Sequence, residues 1–128
     1  MSRIVLDASA VMAVLNREPG SEKLSDELLS NSVASTVNLA EVQTKLVGLG
    51  ADPDRCWKDA MTVVGEAVAF TSDQAKAAGD MVQLTRSAGL SLGDRACLAL
   101  ARELNAPVYT TDRAWRALKV GVRVHLLR

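Results

Sequence analysis

Arg3-Ile4-Val5-Leu6-Asp7-Ala8-Ser9 is the stretch whose reading decides the fold. Arg3 to Asp7 (RIVLD) reads as a short buried strand. Ala8 to Leu15 (ASAVMAVL) reads as a helix that follows it directly, ended by Asn16-Arg17-Glu18-Pro19-Gly20. Outward from this opening the alternation repeats. Ser21 to Ser30 (SEKLSDELLS) reads as an amphipathic helix with Leu24, Leu28 and Leu29 on one face. Ser32 to Ser35 is a short strand. Val37 to Leu49 is a helix with Leu39, Val42, Leu46 and Leu49 on one side, stopped by Gly50. Pro53 suits the first turn of a helix reaching about Val64. Ala67 to Phe70 is strand-like, and Thr71-Ser72-Asp73 caps a helix from Gln74 to about Ser87. Ser91 opens an apolar helix to Leu104. Pro107 to Thr111 is a strand, Asp112 starts a short helix through Leu118, and Val122 to Leu127 is a last strand. Strands alternating with helices predict an α/β architecture, a parallel sheet wrapped by helices with right-handed crossovers. Ligands of such sheets bind beyond the carboxyl ends of the strands.

Composition narrows the function. The chain has 128 residues, 48% hydrophobic and 23% charged, which suits one globular domain over residues 1–128 with a core of its own. The longest strictly apolar runs are Ala10 to Leu15 and Ala96 to Ala101, too short for a membrane span. Asp7 interrupts the N-terminus before a signal-peptide core forms, so the expected compartment is the cytoplasm. Cys56 and Cys97 stand apart with no CxxC pattern and read as small buried hydrophobes. The only histidine is His125, in the last strand. Ser-His-Asp and Cys-His catalysis would depend on it, and a zinc site would lack ligands. Net charge is zero but polarised, −5 over residues 1–80 and +5 over residues 81–128. The basic half suits a surface facing phosphates.

Four acids fall just past strand ends: Asp7, Glu41, Asp94 and Asp112. Taken singly, each has a structural role open to it. Asp7, Asp94 and Asp112 are placed as helix N-caps or first-turn acids. Asn38-x-x-Glu41 and Ser91-x-x-Asp94 both have the form of capping boxes. Glu41 also stands four residues before Lys45. Taken together, a parallel sheet can bring all four to one edge. Two such charges ~4 Å apart repel by about 4 kcal/mol at an effective dielectric near 20. Either protons or a cation must then offset them. Without histidine or a thiolate pair the cation is hard and oxygen-loving, Mg²⁺ or Mn²⁺. Such an ion activates water for attack on a phosphodiester and needs no protein nucleophile.

The order Val5-Leu6-Asp7-Ala8-Ser9, Ser35…Leu39-Ala40-Glu41-Val42, Leu90-Ser91-Leu92-Gly93-Asp94-Arg95-Ala96 and Val108-Tyr109-Thr110-Thr111-Asp112-Arg113-Ala114-Trp115 resembles the PIN-domain nucleases. More narrowly it resembles the VapC toxins of bacterial type II toxin–antitoxin systems, over the whole chain. The resemblance implies a PIN-like three-layer fold and Mg²⁺-dependent endoribonuclease activity. It implies Asp7 and Asp94 as principal metal ligands, with Glu41 and Asp112 bound directly or through water. Ser9 and Thr110 would support the site from beside it. Trp115 matches an aromatic after the last acid, for which a core position is expected. The resemblance also implies an RNA substrate, a homodimer and a VapB-type antitoxin. The helices Ser21 to Ser30 and Val37 to Leu49, with the Trp57 helix, would form the antitoxin's groove, and an antitoxin arginine would reach the carboxylates.

Two other readings compete. A phosphoryl-accepting α/β domain needs clustered acids or Asp-x-Asp after the first strand, and here Asp7-Ala8-Ser9 carries one acid. A catalytically retired PIN fold used only for binding would have no reason to keep its costly acids.

Overall fold

The computed structural model of the chain describes residues 2–128, and five short runs in it become strands: β1 (Ile4–Leu6), β2 (Ser32–Ser35), β3 (Glu66–Val68), β4 (Val108–Thr110) and β5 (Val124–Leu126). They form one all-parallel sheet in the order β3-β2-β1-β4-β5. The helices are α1 (Ala8–Leu15), α2 (Asp26–Ser30), α3 (Thr36–Gly48), α4 (Pro53–Val63), α5 (Ser72–Asp80), α6 (Val82–Thr85) and α7 (Leu92–Leu104). Single 3₁₀ turns cover Ser21–Lys23, Arg86–Ala88 and Arg113–Ala117.

Register sorts the side chains into two cores. Val5 lies opposite both Val33 and Val108. Alternation along a strand therefore sends all three to one face, where they pack with Met81, Cys97, Leu98 and Trp115. Ile4, Leu6 and Ala34 turn to the other face and meet Val11, Leu39, Val42 and Ala60. Helices α5 and α7 thus cover one side, and α1, α3 and α4 the other, giving the three layers expected. In α7 the run Ala96 to Ala101 is buried throughout, and its alanines and Cys97 let the helix lie close on the sheet. Among the described residues, no helix is long and apolar enough to cross a membrane.

Three sequence expectations need correction. Ser21 to Ser30 is not one helix. Leu24 takes an extended conformation and is buried, and the Ser25 hydroxyl accepts the Leu28 N–H to start α2 afresh. The segment from Gln74 to Ser87 breaks after Asp80. There the Thr85 hydroxyl donates to the Met81 carbonyl at 2.9 Å, a back-bond that bends helices, and a 3₁₀ turn follows. Leu49 does not join the buried face of α3; it is the C-cap and is 82% exposed.

The sheet order also creates the crevice. From β1 the chain passes outward to β2 and β3 on one side and later to β4 and β5 on the other. The strand order therefore reverses at the carboxyl ends of β1 and β4, where α/β sheets bind ligands. Asp7 follows β1 there, and Thr110 ends β4.

Trp115 anchors the β4–β5 side and is wholly buried. Trp115→Ala is expected to cost about 3–5 kcal/mol of unfolding free energy, measured by urea denaturation. A loss under about 1 kcal/mol would contradict this packing.

Candidate active site

Asp7 is the innermost acid, 5% exposed. Its Oδ1 accepts the Ser9 hydroxyl at 2.7 Å and the Ala10 N–H at 2.8 Å, so it also caps α1. Its Oδ2 accepts the Thr110 hydroxyl at 2.6 Å. Ser9 and Thr110 are themselves fixed: Ser9 Oγ accepts the Thr111 N–H at 3.0 Å, and Thr110 Oγ1 accepts the Asp112 N–H at 3.0 Å. Burial pushes the Asp7 carboxyl above the usual aspartate range. The three hydrogen bonds pull it back, and the Asp94 charge pushes it further up.

Asp94 opens α7 in a full capping box. Ser91 Oγ accepts the Asp94 N–H at 3.1 Å, and Asp94 Oδ2 accepts the Ser91 N–H at 3.0 Å. Among the described residues its Oδ1 has no protein donor. The capping box expected at Asn38-x-x-Glu41 does not form, because α3 begins a turn earlier with Ser35 as its cap. Glu41 is also not ion-paired with Lys45 among the described residues. Instead Asn38 Nδ2 donates to Glu41 Oε1 at 2.9 Å and to the Gly93 carbonyl at 3.0 Å. Gly93 is the second half of that clamp. A Cβ there would overlap the Glu41 carboxylate, so a side chain at this position would push the acid away from its seat against α7.

Asn38 and Gly93 are the two residues that sequence reasoning missed as parts of this site. Asn38 had a signal, its spacing to Glu41, but the spacing suggested a cap. Gly93 had none, since its contact is with Glu41 on a helix far away in sequence.

Cys97 reports the convergence. Burial, then the charges of Asp7, Asp94 and Glu41, push its thiol well above the usual thiol range. Three of the four acids therefore project their fields onto one buried atom. Asp112 lies on the same edge but stands apart. It is exposed, its Oδ1 accepts the Ala114 N–H at 3.0 Å, and it connects to Asp7 only through Thr110. His125 is exposed on β5 and stacks on Tyr109 with ring centroids 4.9 Å apart, away from this cluster's chemistry.

The donor set is all oxygen, which suits Mg²⁺ or Mn²⁺ and not zinc. Among the described residues no three His, Cys, Asp or Glu side chains stand close enough to chelate one ion by themselves. A small hard ion accepts this, since Mg²⁺ usually takes one or two carboxylates and keeps its waters. Among the described residues the buried Asn38 Oδ1 has no protein hydrogen-bond partner beside the Glu41 carboxylate it orients. That is a polar atom held without compensation at the edge of the cluster.

The sequence model of the PIN domain matches residues 4–121. No curated protein matches the sequence. Among solved structures, the chain is similar to a DNA-bound VapBC of Salmonella typhimurium, with TM-score 0.77, 16% identity and 100% of both chains covered. A toxin–antitoxin complex from Klebsiella pneumoniae gives TM-score 0.76 at 13% identity, covering 98% of each chain. VapC20 of Mycobacterium tuberculosis, a toxin that cleaves the sarcin–ricin loop, gives 0.73 at 21% identity, covering 94% of this chain and 98% of that one.

Asp7→Asn is expected to stabilise the metal-free protein. The asparagine oxygen keeps the Ser9 and Ala10 bonds, and the Thr110 hydroxyl can rotate to accept from the amide. The folded-state pKa of Asp7 is raised, so its ionisation penalty is absent below the unfolded value of 3.8 and grows as pH rises through the folded value. The stability gap between variant and wild type should therefore close in acid and open toward neutrality, to about 0.5–2 kcal/mol. Urea denaturation at several pH values checks this; a variant less stable than wild type at pH 7 would contradict it.

Proposed function

This chain belongs to the PIN-domain family, and from that premise we propose that it is a Mg²⁺-dependent endoribonuclease, the toxin of a VapBC-type pair. The observation that carries the reading is the placement of buried Asp7 just past β1 at the sheet's switch point, with the Glu41 carboxylate seated by Asn38 against Gly93, the residue before Asp94. Three carboxylates brought together, one of them almost without water, are costly unless they serve a cation.

In this account Asp7 and Asp94 would hold the ion, and Glu41 would complete the site directly or through water. The chemistry a divalent ion supplies in such a place is a more acidic water and neutralised charge at a phosphodiester. Thr110 and Ser9 keep Asp7 in one rotamer with its charge turned toward the cluster. Asn38 and Gly93 hold Glu41 against the start of α7. Asp112, exposed at the rim, is the most open of the four acids and the one suited to relay a proton to bulk water.

The partners follow the same reading. The protein works in the cytoplasm as a homodimer and is held inactive by a VapB-type antitoxin. Exposed apolar side chains on α3 and α4, Val47, Trp57 and Met61, offer that antitoxin a surface. Similar folds have been solved in toxin–antitoxin complexes, which supports this assignment.

Purified protein on total cellular RNA, with Mg²⁺ and with excess EDTA, is the test. Asp94→Asn and Asp7→Asn are expected to lower cleavage by at least about 10³-fold, with Glu41→Gln and Asp112→Asn impaired less. Asn38→Ala should cost about tenfold, because it releases Glu41 without removing a ligand. Cleavage that persists in EDTA or in Asp94→Asn would overturn the mechanism. A well-folded wild type that cuts no RNA would favour a binding role instead.

A further inference from the structure

A pocket of about 180 Å³ opens beside the end of β5, lined by Lys23, Arg113, Arg116, Leu126 and Arg128. Four of those five side chains are cations. Arg128 is balanced: its guanidinium donates to Glu18 Oε1 at 2.8 Å and to the Pro19 carbonyl at 3.1 Å. Lys23, Arg113 and Arg116 have no acidic partner among the described residues. Arg113 Nε donates to the main-chain oxygen of Arg128 at 3.4 Å, which steadies its guanidinium, and among the described residues neither Nη group has a protein acceptor. Arg113 and Arg116 stand three residues apart in one 3₁₀ turn, where such pairs lie on the same side.

The pocket belongs to the same edge as the acids. Asp112 caps the turn that carries Arg113 and Arg116. Leu126 pairs with Thr110, whose hydroxyl holds Asp7. Two strand spacings, roughly 10 Å, separate the line of β1 from that of β5. A polyanion approaching three carboxylates is repelled by them, so its path is set by the surplus cations on the same edge.

We propose that this pocket binds a backbone phosphate of the RNA strand, neighbouring the phosphate that is cut. The proposal rests on the nuclease reading and adds the direction in which the strand runs, outward over β4 and β5. A phosphodiester suits the lining better than an acidic protein segment. Leu126 is the only apolar lining residue, and protein partners rely on apolar anchors at the centre of their interfaces. Paired guanidinium groups, in contrast, match phosphate oxygens.

The experiment measures binding of a short fluorescent single-stranded RNA in EDTA, by anisotropy, from 50 to 200 mM salt. The proteins are wild type, Lys23→Ala/Arg116→Ala, the bulk-preserving Lys23→Gln/Arg116→Gln, and Lys58→Ala on α4 as a distant control. Both double variants are expected to bind roughly tenfold more weakly, with the log–log salt slope reduced by roughly 1.4 for two lost cations. Lys58→Ala should bind as wild type does. Unchanged affinity and slope in the double variants would overturn the proposal. So would an equal loss in Lys58→Ala, which would mean diffuse attraction. Fluorescent polyglutamate is titrated alongside, and loss of its binding in the double variants with RNA binding intact would also overturn the proposal and assign the pocket to an acidic protein. Wild-type cleavage in Mg²⁺ is scored separately. Pocket-dependent binding without cleavage would sink the nuclease reading and leave the phosphate site standing.

Discussion

A carboxylate almost sealed from water sits at the centre of the sheet's carboxyl edge, and its surroundings are arranged to tolerate it. Asp7 survives burial because three donors reach it: Ser9, Ala10 N–H and Thr110. The Thr110 bond spans 103 positions of sequence and exists only because β1 and β4 are parallel neighbours. The Ala10 bond exists only because α1 starts immediately after β1. Helix start, strand order and acid are therefore one constraint. The capping role and the site role of Asp7 are not alternatives, since Oδ1 serves the helix while Oδ2 faces Thr110.

The same doubling recurs at Asp94, whose Oδ2 closes a capping box and whose Oδ1 has no protein donor among the described residues. It explains what could be read from sequence. Caps and strand ends are local signals, so Asp7, Asp94 and Asp112 stand out as candidates in the sequence, and each lies where the chain changes from strand or loop to helix. The α/β class followed from the alternation begun by Ile4–Leu6. What was not legible is non-local. Asn38 reads as a cap for Glu41 until Ser35 is seen to start α3 a turn earlier. Gly93 matters because of where Glu41 falls in space. The break inside Ser21 to Ser30 escaped because its leucines keep a helical spacing that Leu24 satisfies in an extended conformation instead. In each case tertiary packing overrode a local preference of comparable strength.

Stability and chemistry pull against each other at this edge. Asp7 is held above its ordinary range, Cys97 is surrounded by three negative fields, and Asn38 Oδ1 is buried unpaired. Sites that keep such costs are commonly functional, because nothing in packing rewards them. The positive surplus at Lys23, Arg113 and Arg116 lies beside the end of β5, and Asp7 and Asp112 follow β1 and β4, so one edge carries both signs of charge.

The central claim is that the Asp7, Glu41 and Asp94 cluster is a seat for a divalent cation. Thermal unfolding against MnCl₂ concentration at neutral pH tests it without any substrate. A ligand of the folded state alone stabilises by RT ln(1 + [L]/Kd), about 2.7 kcal/mol at a hundredfold excess over Kd. The account predicts a Tm that climbs with Mn²⁺ for wild type and stays flat for Asp94→Asn. Equal Tm curves for the two proteins would contradict it.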